Sequence, residues 1–241
     1  MLLWLLPIAA LFTAVLSGVF GMAGGMLLMG AYTVALPVAT AMVLHGATQL
    51  VANGSRALLL RRHVYWLGLV LYASGAVSAF ALLSRVHYVP SPLVVFAGLG
   101  AAPFVSLVLP ARWFDFERPA AAVLCGAAVV AVQLLAGAAG PLLDIAFVRT
   151  QLTRNQVVAT KAVTQVLSHA LKIAYFAPLM HAGSVSPQLG LSLLVATLLG
   201  TRIGTELLQR LSDERFRRYS RAIILVTGSV YLTKAAWLCF L

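Results

Sequence analysis

Charge is scarce in this sequence. Asp, Glu, Lys and Arg make up 10% of 241 residues, where a soluble globular domain carries about 25%. Hydrophobic residues make up 61% and the mean hydropathy is +0.97. That balance excludes a soluble domain and defines an integral membrane protein. Cysteine is nearly absent too. Cys125 and Cys239 lie in apolar runs without metal-ligand spacing, so both read as packing residues, and no metal or cofactor is called for. Nucleotide and protease motifs are missing: there is no P-loop, no dinucleotide fingerprint and no H-E-x-x-H. An ATP-driven pump would need a nucleotide domain, for which the chain has no room. Ser168 and His169 are sequence neighbours, so on a helix their side chains point about 100° apart, which disfavours a nucleophile–base pair. The chain is therefore not expected to be an enzyme. No Lys or Arg precedes Arg56, and no small-residue cleavage site follows the first apolar run, so a signal peptide is not expected. No linker or low-complexity segment interrupts the apolar runs, so no appended soluble domain is expected either.

What the chain does have is apolar runs of about 20 residues, the length that crosses a bilayer. They fall at 39–60, 65–83, 91–110, 156–177, 188–208 and 219–240. Two longer segments remain, 2–36 and 119–150, each interrupted by glycine: "GVFGMAGGMLL" at 18–28 and "GAAGP" at 137–141. Glycine weakens a helix by roughly 1 kcal/mol against alanine, and in lipid a broken helix leaves backbone groups without water. Such breaks need a reason.

The net charge of +11 comes from arginines in short loops, which is the positive-inside pattern rather than a nucleic-acid surface. Their distribution decides how the broken segments run. If each segment crossed once, Arg61, Arg62, Arg112 and Arg118 would face one side, and Arg85, Arg149, Arg154, Arg210, Arg215, Arg217, Arg218 and Arg221 the other. If each returns to its starting side, all of these but Arg85 share one face. The arms 24–36 and 141–150 are also too short to cross: 13 residues rise about 20 Å against about 30 Å of hydrocarbon. Both segments are thus expected to be re-entrant hairpins with glycine tips near mid-membrane, and both termini to lie outside.

Shifting the sequence by 116 residues superposes its halves. Gly21 falls on Gly137, Ala23 on Ala139, Gly24 on Gly140, Thr48 on Thr164, Gln49 on Gln165, Asn53 on His169, Arg56 on Lys172, and His45 on Lys161. The expected fold is an all-α polytopic membrane protein of two inverted repeats, each a re-entrant helical hairpin plus three transmembrane helices. Residues 1–115 hold hairpin 2–36 and the first three spans. Residues 116–241 hold hairpin 119–150 and the last three. Together they form one transport domain. Inverted repeats typify secondary transporters, whose sites lie on broken helices at the repeat interface.

Helix starts at Gly25 and at Pro141 would each present free N–H groups and about half a positive charge, which favours anions. The alternative role for the glycines is close helix crossing. The helix after each hairpin carries polar residues on one face: His45, Thr48, Gln49, Asn53 and Arg56, then Lys161, Thr164, Gln165, Ser168, His169 and Lys172. Ionisable residues inside spans usually face a cavity and mark a pathway. Bland alternatives stay open: snorkelling for Arg56 and Lys172, packing for His169, interhelical hydrogen bonding for Gln49 and Gln165, and an interfacial place for Lys161. Asp144 is the one carboxylate close to a hairpin tip. In order of preference it caps its own helix, pairs with Lys161 or Lys172, or carries a coupling proton. Arg202 and Glu206, spaced i, i+4, suit a plain ion pair.

The "GMAGGMLL" stretch, its partner "GAAGPLLD" and the helix "ATKAVTQVLSHALK" together resemble the TauE/SafE family of membrane permeases over nearly the whole chain. The resemblance implies a prokaryotic plasma-membrane carrier of sulfite, sulfoacetate or other organosulfonates, commonly an exporter. The expected function is thus secondary transport of a small sulfur-containing anion by alternating access, with export the direction the resemblance implies. The substrate site would comprise Gly24, Gly25, Gln49, Asn53, Gly140, Pro141, Lys161, Gln165, His169 and Lys172, with His45 and Asp144 as coupling candidates. Expected partners are the anion and the lipid bilayer of a bacterial inner membrane, no nucleic acid, and a homodimer as an open option. An anion channel, or a carrier of another inorganic or carboxylate anion, is the alternative reading.

Overall fold

A computed structural model describes the chain apart from residues 1, 21–22, 111–112, 114, 182, 184, 209–212 and 241. Among the described residues every regular element is a helix. They are α1 (Leu6–Phe20), α2 (Ala23–Ala35), α3 (Val38–Leu59), α4 (Trp66–Leu83), α5 (Pro92–Val108), α6 (Pro119–Ala136), α7 (Gly140–Ile145), α8 (Arg154–Phe176), α9 (Pro187–Leu208) and α10 (Asp213–Leu238), with short 3-10 turns at Leu2–Leu5, Arg61–His63 and Ala177–Leu179.

Proline and hydroxyl residues set several of the starts. Pro92, Pro119 and Pro141 sit in the first turns of α5, α6 and α7, where the missing N–H costs nothing. Ser91 accepts from Val94 N to cap α5, and Thr153 with Gln156 forms a reciprocal capping box at α8. The expected spans match the helices to within a few residues, except that α10 begins at Asp213 rather than 219. The charged stretch after Ser212 therefore belongs to that helix instead of a loop; Arg and Glu are good helix formers.

Among the described residues four segments are long and apolar enough to cross a membrane: Leu3–Phe20, Trp66–Leu83, Pro119–Ala136 and Pro187–Leu208. They leave large apolar side chains exposed, among them Ile8, Phe12, Val70, Val77, Leu124, Leu191 and Leu198, as a lipid-facing surface would. α2 and α5 are shorter apolar helices. α3 and α8 are long enough, at about 33 Å and 35 Å, but carry the polar face.

The helices pack in pairs: α1 against α9, α4 against α6, α3 against α8, and α5 against α10. Glycine makes two of these crossings close. On α4–α6, Gly75 lies under the Val123 carbonyl and Gly126 under the Tyr72 carbonyl. On α1–α9, Gly200 and Gly204 meet the Leu11 and Val15 carbonyls, and a Cβ at Gly18 would come within 2.7 Å of the Gly204 Cα. With no hydrophobic force between helices in lipid, such close van der Waals contact is what holds them. The α3–α8 pair lies at the centre, contacted also by α2, α4, α6 and α9. The core around it includes Met29, Tyr32, Met42, Tyr72, Leu143 and Phe176.

The break after α6 is fully described. Gly137 adopts φ +81°, a left-handed conformation suited to glycine, and its N–H closes α6 on the Gln133 carbonyl. A Cβ there would also strike the Met29 side chain. The new helix α7 then runs only six residues, to Ile145, short of the expected arm to 150. Beyond it the chain meets the residues that precede α6: Phe116 N donates to the Ala146 carbonyl (3.0 Å), Gln151 N to Glu117 Oε2 (2.6 Å), and the Phe116 and Phe147 rings stack at 4.6 Å. At the first break, Gly21 and Met22 lie outside the described residues, and α2 starts at Ala23.

Gly126→Val places a branched side chain against the Tyr72 carbonyl. Overpacking of this kind costs about 1–3 kcal/mol, so thermal unfolding of the purified protein in detergent is expected to shift down by several degrees. Gly190→Ala, with nothing within 4 Å of its Cβ position, serves as the control. Equal melting temperatures for Gly126→Val and wild type would refute the close α4–α6 crossing.

Candidate functional site

The polar faces of α3 and α8 meet each other at the α3–α8 crossing, and one set of bonds joins them to both chain breaks. His45 Nε2 lies 2.9 Å from the Gly25 carbonyl oxygen. A carbonyl can only accept, so Nε2 carries the proton and donates. Lys172 Nζ lies 2.7 Å from His45 Nδ1 and donates to the Gly137 carbonyl at 2.7 Å. The result is one continuous chain of hydrogen bonds from Gly25, at the start of α2, to Gly137, at the end of α6. Lys172 is 0% exposed and His45 1%.

A second histidine stands beside the first. The His45 and His169 rings pack edge to face with centroids 5.4 Å apart. Gln133 Nε2, from α6, donates to His169 Nδ1 at 2.9 Å. His169 therefore carries its proton on Nε2, which makes no hydrogen bond among the described residues. The residue before it, Ser168, donates from Oγ to the Thr164 carbonyl (2.8 Å), and the Tyr72 hydroxyl of α4 donates to Ser168 Oγ (2.6 Å). On the α2 side, Tyr231 of α10 donates to the Met26 carbonyl at 3.1 Å and packs against Gly30. The start of α2 is thus fastened from two directions.

Among the described residues no carboxylate reaches this cluster. Among the described residues, Asp115 pairs with Arg118, Asp144 with Lys161 and Glu206 with Arg202, while Glu117 accepts from Gln151 N. The buried Lys172 thus has neutral partners only. A buried charge is normally paired, so its charged form lacks a counter-ion here.

The expected site residues divide into two groups. His45, Gly25, His169 and Lys172 are brought together in the buried cluster, and the Gln49 carboxamide borders Gly25, where a Cβ would lie 3.5 Å from Gln49 Oε1. Gly140 and Pro141 are buried at the start of α7, three and four residues from the Gly137 carbonyl. Gly24 belongs to a helix crossing: a Cβ there would meet the Thr13 carbonyl and lie 2.5 Å from Ser17 Oγ. Asn53 donates to the Gln49 carbonyl on its own helix at 3.0 Å. Lys161 stands about 16 Å along α8 from Lys172, half-exposed with Gln165, and is paired with Asp144. Asp144 thus pairs with Lys161 rather than capping α7, whose N-cap, Ala139, receives no side-chain bond. Arg56 donates to the Ser17 carbonyl at 3.2 Å. Arg202 and Glu206 form the expected exposed pair.

Sequence reasoning missed Gln133, Gly137 as a carbonyl acceptor, Tyr72 and Tyr231. Gln133 had a signal: it is the lone amide of a strongly apolar helix, four residues before the break, and 116 residues after Ser17.

Apolar helices packed around a buried lysine that has no carboxylate partner among the described residues have the build of a membrane transporter. The comparison of families agrees: the model of the sulfite exporter TauE/SafE family matches residues 6–231, and the chain belongs to that family. No curated protein and no solved structure matches it.

The two ion clusters should respond differently to mutation. Interhelical hydrogen bonds inside membranes contribute about 0.6–1.7 kcal/mol each, and His45→Ala breaks two of them. Asp144→Asn breaks a pair whose side chains are 25% and 41% exposed, which is worth about 0–1 kcal/mol. Unfolding in detergent is expected to show the larger loss for His45→Ala. An equal or larger loss for Asp144→Asn would refute the structural role given to the His45 bridge.

Proposed function

We propose that this protein is a secondary carrier of a small sulfur-containing anion, sulfite or an organosulfonate such as sulfoacetate, working in the export direction across a bacterial inner membrane. The observation that carries the reading is Lys172: a lysine wholly buried between two chain breaks, with no carboxylate partner among the described residues. A carrier needs a site that is incomplete until its substrate arrives. An anion completes this one, and charge-assisted hydrogen bonds are roughly twice as strong as neutral ones. The family's description supplies the chemical class, sulfite.

The anion would bind near mid-membrane between the starts of α2 and α7, against Gln49, His169 and Lys172, with Gln165, Asn53, Lys161 and the glycines at 24–25 and 140 contributing to its path. Two features support alternating access between inverted halves. Under the 116-residue shift α1 corresponds to α6, α4 to α9, α3 to α8 and α5 to α10. The pairing of α1 with α9 then maps onto that of α6 with α4, while α3–α8 and α5–α10 map onto themselves. In addition, the contacts of Phe116 with Ala146 and of Glu117 with Gln151 bring the chain after α7 back to where α6 begins. That favours a re-entrant second segment, with Arg61 and Arg149 both cytoplasmic and the termini outside.

Binding is tested by thermal shift of the purified protein with sulfite and sulfoacetate, since a ligand that binds the folded state stabilises it. Wild type is expected to be stabilised and to take up or release sulfite in proteoliposomes. Lys172→Ala is expected to lose both responses, and Lys234→Ala, whose amine stacks on Trp237 away from the polar faces, to keep both. Retention of both by a folded Lys172→Ala protein would remove the anion site from Lys172.

Orientation is tested by cysteine labelling from each side of the membrane. Cysteines at positions 61 and 149 are expected to react from the same face. Labelling from opposite faces would exclude a returning second segment.

A further inference from the structure

The bonds of Lys172 can be counted. The Gly25 carbonyl fixes the His45 proton on Nε2, so Nδ1 faces Lys172 Nζ at 2.7 Å with a lone pair or a second proton. A neutral lysine amine has two N–H groups. One meets His45 Nδ1 and the other the Gly137 carbonyl, so both are used and no donor is left over. One added proton is also accommodated. On Nζ it gives an ammonium with a third N–H; on His45 it gives an imidazolium donating to the amine's lone pair. Two added protons would set N–H against N–H across 2.7 Å and break the chain. The pair therefore holds zero or one excess proton. The loaded form carries a full charge, and when the proton rests on Nζ it has an N–H that no described residue accepts.

The groups facing this pair do not neutralise that charge. On α8 itself His169 is bound at Nδ1 by Gln133. From α4 comes Tyr72, bonded to Ser168, and from α6 comes buried Cys125. On α3, Arg56 lies about 16 Å along the helix from His45 and is bound to the Ser17 carbonyl. α2 offers the Tyr32 hydroxyl, and α9 presents Arg202 and Glu206 to the exterior. No carboxylate faces Lys172 from any of them.

We infer that the His45–Lys172 pair is a proton site linked to the anion site, so that one proton and one anion are bound together. This rests on the carrier reading above and adds its coupling ion. The unloaded pair is complete and neutral, and it ties the two breaks together. The loaded pair is a cation that lacks one acceptor, and the anion supplies both the acceptor and the charge. Binding of a monoanion with a proton leaves the net charge of the site unchanged. A step that carries the two together moves no net charge, and its direction follows the concentration and pH gradients rather than the membrane potential.

The proton count is measurable. Purified wild-type protein is titrated calorimetrically with sulfite and with isethionate at one pH, in buffers of different ionisation heat. The dependence of the observed heat on buffer gives the protons taken up per anion bound. Isethionate, a sulfonate, gains no proton itself near neutral pH, so its count belongs to the protein. About one proton per isethionate is expected by linkage, and a count of zero overturns the inference while leaving anion binding intact. Sulfite can take up a proton of its own, so its count is compared with that of Lys172→Arg, whose guanidinium stays charged. A fall of about one proton is expected from the same linkage, and an unchanged count overturns the inference. Absence of binding heat from both anions in folded wild-type protein removes the carrier reading itself, and this inference falls with it.

Discussion

The arrangement of this protein depends on one donor. Lys172 Nζ, wholly buried, holds His45 and the Gly137 carbonyl, and through His45 it reaches the Gly25 carbonyl. A helix break inside a membrane leaves carbonyls with no water to satisfy them. Here the carbonyl left at the end of α6 and a carbonyl in the first turn of α2 are met by the same pair of side chains. The two breaks are therefore coupled physically: neither carbonyl can be released without disturbing the other's partner.

Much of the surrounding structure serves to place that pair. Close glycine crossings bring α1 to α9 and α4 to α6. The left-handed Gly137 turns the chain and aims its carbonyl at Lys172. Gln133 holds His169 from α6, Tyr72 holds Ser168 from α4, and Tyr231 reaches from α10 to the Met26 carbonyl. Each of these is a polar side chain spent on another residue of the cluster or on the backbone beside it. What they leave unmet is confined to few places, the free edge of His169 and the charge of Lys172 among them. On the reading proposed above, those two are what an anion would use.

The sequence made the helices legible because their signals are local and additive. Hydropathy over about 20 residues marks a span, Pro141 marks a start, and glycine marks the breaks. The polar face of α3 and α8 was legible for the same reason, since helical periodicity puts His45 and Gln49, or His169 and Lys172, on one side. Their partners were not. His45 and Lys172 are 127 residues apart, and periodicity does not say which residue of one helix meets which residue of another. The 116-residue shift matches His45 with Lys161 and Arg56 with Lys172, yet the contact formed is between His45 and Lys172, which sit at opposite ends of that matching. An antiparallel crossing of two corresponding helices produces this. The same geometry left Lys161 with Asp144, its neighbour in the second half, and made Gly24 a packing glycine although its sequence context equals that of Gly25.

The asymmetry between those two cationic clusters carries its own argument. If α3 and α8 are exchanged by the repeat, the counterpart of His45–Lys172 is Lys161–Arg56. The first pair is shut: both residues are buried, and both breaks are tied to it. The second is open: Lys161 is half-exposed and bound to Asp144, and Arg56 is drawn instead to the Ser17 carbonyl. Two corresponding sets of residues thus stand in different states within one structure. On the carrier reading proposed above, such a difference is what alternating access calls for, because a carrier in any one state is closed at one end and accessible at the other. The chemistry differs as well. A lysine beside a histidine can pass a proton between them, whereas Arg56 keeps its charge. The proposed proton exchange therefore belongs to the His45–Lys172 pair alone, and any motion that parts the two breaks has to separate Lys172 from the Gly137 carbonyl.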